Sequence, residues 1–186
     1  YPENFSTYVY VDNLTESLEG ASRPGHFRGV ATIVTILFNT VRPDIAVFGQ
    51  KDAQQLAVIR RLTRDLGFET EIVAVPTVRE ENGLAMSSRN ELLSAEERDK
   101  AGVIYRGLRE AKLAFKDGQR NASKLTEIVR SAIESEPLAQ IDYVSVVDAD
   151  SLEMIEKVGD NEAMIAVAVR FGKVRLIDNV VLNRRQ

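Results

Sequence analysis

Two short polar clusters, each lying beyond an apolar run, hold residue types suited to a bound triphosphate. Phe48-Gly49-Gln50-Lys51-Asp52-Ala53-Gln54-Gln55 follows Ile45-Ala46-Val47, and Met86-Ser87-Ser88-Arg89-Asn90 follows the stretch Glu71 to Val75 after a polar loop. Glycine lets backbone approach a ligand closely, cations offset phosphate charge, and the first N–H groups of a helix add donors. In the first cluster Lys51 can reach a phosphate. Asp52 can cap the following helix, accept from a ribose hydroxyl or hold a cation's water. Gln55, three residues on and on the same helical face, can bond a neutral polar substrate. In the second cluster two hydroxyls beside a guanidinium suit a triphosphate that changes shape during reaction, and a polar loop can close over it. Each cluster also has a plainer reading, as a strand-to-helix turn and as a solvated interdomain linker, because neither matches a glycine-rich phosphate motif.

Other segments carry weaker signals. Arg23-Pro24-Gly25-His26-Phe27-Arg28-Gly29 places cations near the start of a long helix, and His26 is the only histidine in the chain. It is therefore the one candidate for histidine acid–base work, or else a capping or packing residue in a rigid turn. Arg60-Arg61 and Arg64 read as a solvated helix face, Glu80-Glu81 as a solvated loop, and Arg184-Arg185 as a tail.

These residues need elements to position them. Phe5 to Val11 alternates with β-favouring residues and reads as a strand. Val30, Val34, Leu37, Phe38 and Val41 recur at helical spacing up to Arg42-Pro43. Asp44 to Phe48 reads as a short buried strand. Leu56, Ile59, Leu62 and Leu66 mark an amphipathic helix closed by Gly67, and Glu69 to Val75 is the next strand. Strand, helix, strand, helix, strand is the alternation of a parallel α/β sheet, at whose carboxyl ends ligands bind.

Past Pro76 the pattern changes. After the polar loop Thr77 to Asn90, Ser94-Ala95-Glu96-Glu97 has the form of a capping box opening a helix with Ile104, Leu108, Ala111 and Phe115 on one face. Asp117-Gly118 stops it. Leu125 to Ile133 forms a second helix ending near Pro137. Ile141 to Val147, Ala163 to Phe171 and Val174 to Leu182 read as strands, the last two joined by a tight hairpin at Gly172-Lys173. The expected fold class is α/β: a parallel sheet over residues 1–77, then a smaller α+β domain with antiparallel strands over 78–186.

Composition narrows the function. A net charge of −4 gives no basic field for nucleic acid, so phosphate binding must be local. With no cysteine and one histidine, thiolate chemistry, disulfides and Cys- or His-rich metal sites are excluded. No apolar run approaches the roughly 20 residues of a membrane helix, and Tyr1-Pro2-Glu3-Asn4 does not open a signal peptide. A cytoplasmic setting is expected. The absence of an initiator methionine leads us to expect a processed or excised chain.

Taken in order, the segments resemble the pantoate–β-alanine ligase family. The matches are Leu18-Glu19-Gly20, Arg23-Pro24-Gly25-His26-Phe27 with Gly29-Val30, Leu37-Phe38-Asn39, Phe48 to Asp52 with Gln54-Gln55, Pro76 to Glu80, and Gly83 to Asn90; Tyr143 to Asp148 fits the family's C-terminal sheet. The resemblance implies a Rossmann-like nucleotidyltransferase fold related to class I aminoacyl-tRNA synthetases. It implies that ATP, with Mg2+, activates pantoate as pantoyl adenylate, which the amine of β-alanine then attacks to release AMP. By matching position, Gly49, Gln50, Lys51, Asp52 and Val78 would contact ATP. Met86, Ser87, Ser88 and Arg89 would occupy the place of the synthetases' KMSKS-like loop, and Gln55 would hold pantoate. The family is expected to be homodimeric, without nucleic-acid or membrane partners. One departure stands out: the family's His-x-Gly-His motif and a second pantoate-binding glutamine do not occur here. This chain is therefore expected to be the C-terminal two-thirds of such an enzyme and inactive by itself. Another adenylyltransferase of the same superfamily, or a non-catalytic folded module, remains as an alternative.

Overall fold

The computed structural model describes residues 1–183; Arg184 and Arg185, read above as a tail, lie outside the described residues. The chain divides into two compact units, Tyr1–Pro76 and a second from Thr77 onward. No described helix is long and apolar enough to cross a membrane.

In the first unit α1 (Glu19–Ser22) leads into α2 (His26–Val41), β1 (Ile45–Gly49), a 3-10 turn at Gln50–Asp52, α3 (Ala53–Asp65) and β2 (Glu71–Val75). The two strands pair in parallel from Ile45↔Glu71 to Gly49↔Val75, so their carboxyl ends lie at the same edge. α3 buries Leu56, Val58, Ile59 and Leu62, the row that its helical spacing predicts. It ends in a Schellman motif: Gly67, at φ 66°, donates to Arg64 O, and Phe68 N donates to Thr63 O.

Two expectations fail in this unit. Phe5 to Val11 is not a strand. Alternation gives a strand only where a partner takes its backbone groups; here Val9 N donates instead to the Thr32 hydroxyl of α2, at 3.0 Å. β1 is also not fully buried. α3 packs against both strands, with Ala46 and Phe48 on the better-covered face of β1. Ile45 and Val47, on the opposite face, are 56% and 60% exposed.

The second unit contains a 3-10 turn (Ser88–Leu92), α4 (Ala95–Lys100), α5 (Val103–Lys116), α6 (Ala122–Glu134) and the strands β3 (Ala139–Asp148), β4 (Ala163–Phe171) and β5 (Val174–Leu182). The sheet is antiparallel in the order β3-β4-β5. Phe171 and Val174 close the expected two-residue hairpin, with Gly172 at φ 53°. Leu108, Leu125, Ile133, Ile165 and Phe171 are fully buried in one core shared by α5, α6 and the sheet, each contributing roughly 1.5–3 kcal/mol. The register of β3 shifts between Ile141 and Tyr143, at Asp142, whose carboxylate accepts from Arg170 Nε and Arg175 Nε at 3.0 and 2.6 Å.

The capping box at Ser94 and Glu97 forms, both of its bonds being present. The helix it opens does not continue into α5, as the apolar spacing suggested. Asn82 Nδ2 donates to the carbonyls of Arg98 and Asp99, and a Cβ on Gly102 would lie 2.5 Å from Asn82 O. A loop residue therefore takes the carbonyls that continued helix would have used, and glycine leaves room for its backbone.

Candidate functional site

Each unit presents one of the polar clusters. In the first, Gly49 closes β1 and Lys51 and Asp52 sit on the 3-10 turn that leads into α3. Gly49 has an extended φ of −73°, and a Cβ built there meets nothing within 4 Å. Neither backbone conformation nor a described neighbour requires glycine at this exposed strand end. Lys51 Nζ lies 3.9 Å from Asp52 Oδ1, with the lysine side chain largely covered and the aspartate half exposed. Asp52 occupies the N-cap position of α3, but its side chain makes no capping bond, which corrects that part of the expectation. Gln50 and Gln55 are half-buried.

The neighbouring Gln54, passed over as a candidate, is buried and saturated. Its Nε2 donates to Leu14 O and Ser17 O at 2.8 and 2.9 Å, and its Oε1 accepts from Glu19 N at 2.9 Å. It pins the 14–19 segment to the start of α3. The row Gln54, Val58, Leu62 at i, i+4 spacing is the sequence signal that places it on the buried face. Nearby, Arg23 Nη1 lies 3.0 Å from His26 Nε2. A guanidinium only donates, so Nε2 accepts in this contact.

In the second unit the loop Thr77 to Asn90 is internally bonded and partly buried. Arg79 and Ala85 form an antiparallel bridge, Glu80 N donates to Leu84 O, and Met86 N donates to Val78 O. Leu84, Ala85 and Asn90 are buried, at 3%, 4% and 1% exposure. Arg79 grips Asp178 of β5 with both terminal nitrogens, at 2.6 and 3.1 Å, and its guanidinium stacks 3.7 Å from the Tyr105 ring centroid. Ser87 caps the 3-10 turn, accepting from Arg89 N. Val78, Met86, Ser88 and Arg89 face solvent, and Ser87 is half-buried. Among the described residues, neither the Ser88 hydroxyl nor the Arg89 guanidinium has a bonding partner.

Glu80, expected in a solvated pair with Glu81, is instead a junction. Arg98 donates to both of its oxygens, at 2.8 and 3.0 Å, and Asn90 Nδ2 donates to Oε1 at 2.6 Å. The Arg98 guanidinium, helped by the Asn90 amide and opposed by partial burial, holds the Glu80 carboxyl below its ordinary value. A carboxylate depressed in the folded state adds stability above its unfolded pKa, and that stability is lost as pH falls through the folded pKa. Glu80→Gln should therefore flatten the acid limb of unfolding below the ordinary carboxylate range. Urea midpoints between neutral pH and about pH 3 check this; parallel curves for the two chains would contradict it.

Among the described residues no group of three or more His, Cys, Asp or Glu gathers as a metal cage. The chemistry on offer is cationic and hydrogen-bonding. One internally bonded turn presents Ser88 and Arg89, and one strand end presents an open Gly49 with Lys51 two residues on.

Comparison with known proteins gives three kinds of match. The family model for pantoate-beta-alanine ligase matches residues 1–181. The pantothenate synthetase of Heliobacterium modesticaldum is 56% identical over 182 residues, covering 98% of this chain and 64% of that protein. The crystal structure of pantothenate synthetase from Thermus thermophilus aligns with a TM-score of 0.90 at 46% identity, covering 98% of this chain and 66% of that one. A Francisella tularensis pantoate-beta-alanine ligase, complexed with beta-gamma ATP and beta-alanine, aligns at 0.71 and 32% identity over 97% of this chain and 60% of that one. The chain thus spans less than two thirds of the length of these relatives. A parallel pair followed by a three-stranded antiparallel sheet is the mixed α/β architecture it shares with them.

Proposed function

The chain belongs to the pantoate–β-alanine ligase family, and from that premise we propose that it carries binding machinery for ATP-dependent condensation of pantoate with β-alanine. In this reading the pantoate carboxylate attacks the α-phosphorus of ATP, giving pantoyl adenylate and pyrophosphate. The amine of β-alanine then attacks the acyl carbon, and AMP leaves. Residues 1–77 belong to the nucleotide-binding domain and 78–186 to a lid domain. The enzyme is a cytoplasmic homodimer, and its partners are small molecules.

Such a reaction needs positioned cations and donors more than a protein nucleophile. The observation that carries the reading is a braced turn presenting an unpartnered Ser88 hydroxyl and Arg89 guanidinium within a family-matched segment. Ser87, Ser88 and Arg89 would meet the triphosphate, with Val78 and Met86 beside the nucleotide. Lys51 would meet phosphate, with Gly49 letting the ligand lie against backbone where a Cβ finds open space. Gln50 and Asp52 would complete the contacts to ATP. Mg2+ would offset charge on the triphosphate of ATP.

Gln55 is assigned to pantoate, since an amide suits hydroxyl and carboxylate groups. In an enzyme of this family that binds both ligands, Gln55→Ala at the aligned position should weaken pantoate by about 1.5–3 kcal/mol and leave ATP nearly unchanged. Calorimetric titration of each ligand checks this, and equal losses for the two would remove the assignment.

A further inference from the structure

The exposed turn that carries Ser87, Ser88 and Arg89 is held from beneath by one side chain. Asn90 is 1% exposed, and its Nδ2 donates both to Glu80 Oε1 at 2.6 Å and to Ala85 O at 3.1 Å. Both neighbours are acceptors, so the orientation of the amide is fixed by chemistry: turned over, it would set oxygen against oxygen twice. Glu80 is in turn oriented by two bonds from Arg98 on α4. The backbone of the turn is tied at both ends, by Met86 N on Val78 O and by Asn90 N on Ser87 O.

We infer that Asn90, Glu80 and Arg98 form a positioning relay that sets the conformation of the Ser87–Arg89 turn for its anionic ligand. The inference rests on the reading of that turn as a triphosphate contact. Its geometric basis is that a donor fork joins the turn to the 78–86 hairpin, while a carboxylate joins the hairpin to α4. None of the three side chains needs to touch the ligand. The relay lies wholly inside the second unit, spanning residues 10 and 18 apart in sequence. Among the described residues the Ser88 and Arg89 side chains have no internal partner, so beyond the Ser87 cap on Arg89 N the turn is held by its buried neighbour.

Asn90→Asp keeps shape and volume while replacing the donor with a carboxylate oxygen facing Glu80 and Ala85 O. In the 186-residue chain it should speed amide exchange at Ser88, Arg89 and Asn90 about tenfold or more, with β4 amides remaining protected. Arg98→Ala, at a half-exposed site, should produce a smaller change at the same amides, and Arg98→Lys should restore part of it. This second pair keeps the test decisive if Asn90→Asp does not fold. Unchanged exchange at 88–90 in the variants that fold, or exchange raised equally throughout the unit, would overturn the relay.

The functional arm uses a complete family enzyme with the same substitutions at aligned positions. The KM for ATP should rise about tenfold or more, while those for pantoate and β-alanine stay within about twofold. If exchange at 88–90 rises and the KM for ATP does not, the relay stands as a device of the fold, but its link to the ligand is overturned along with the reading of the turn as a triphosphate contact.

Discussion

Arg79→Ala is expected to destabilise the second unit by about 3–5 kcal/mol, the cost of breaking a buried ion pair by removing one partner. The Asp178 side chain is only 3% exposed, and both of its oxygens accept from the Arg79 guanidinium. The backbone N–H of Asn179 donates to the same carboxylate, at 2.8 Å, but carries no charge. Arg79 also stacks on Tyr105 and donates to Gly83 O, so the truncation removes packing as well as the ion pair. Lysine should recover little, because it lacks both the two-pronged fork and the flat face. The diagnostic comparison is Arg79→Ala with Asp178→Asn. Neutralising the buried carboxylate should return a substantial part of the loss, measured as urea unfolding followed at β4 amides. A single-variant cost under about 1 kcal/mol would put the pair with exposed surface bridges and reject this account.

What the sequence made legible has a common physical character: it was local. The Schellman ends at Gly67 and Gly118, the capping box at Ser94 and the hairpin at Gly172 each depend on residues within six positions. Helical rows such as Leu56, Ile59 and Leu62 depend on one period. What was missed depends on distant partners. Phe5 to Val11 has the alternation of a strand, but alternation does not supply a neighbour to pair with. Asn82 interrupts a helix from 16 residues away. Arg79 and Asp178 are 99 apart. No window around Glu80 shows that Arg98 and Asn90 converge on it, so adjacent acids in a loop read as solvated. The candidate site residues were chosen by type and order, whereas the braces beneath them become visible only once the chain is folded. The 77–90 segment, read as a polar loop, is a buttressed hairpin and turn for the same reason.

The 186-residue chain alone is expected to form pantothenate at least ~10²–10³-fold more slowly than a complete family enzyme, the loss that removing one transition-state donor commonly causes. Its only histidine, His26, sits in Arg-Pro-Gly-His with Nε2 against Arg23, and the sequence has no His-x-Gly-His, the motif whose histidines the family resemblance assigns to the adenylation transition state. On the reading proposed above, Lys51, Ser87, Ser88 and Arg89 would still bind and orient phosphates, but binding a ground state does not lower the barrier to attack on the α-phosphorus. The first half-reaction is therefore where the loss should fall. Pantoate-dependent exchange of labelled pyrophosphate into ATP reads that step without β-alanine, and a complete relative serves as the positive control. Exchange should be near background in the chain while ATP still binds, which an independent titration checks. Exchange at a rate comparable to the control would show that these 186 residues contain the adenylation machinery, and would reject the view that they supply binding groups alone.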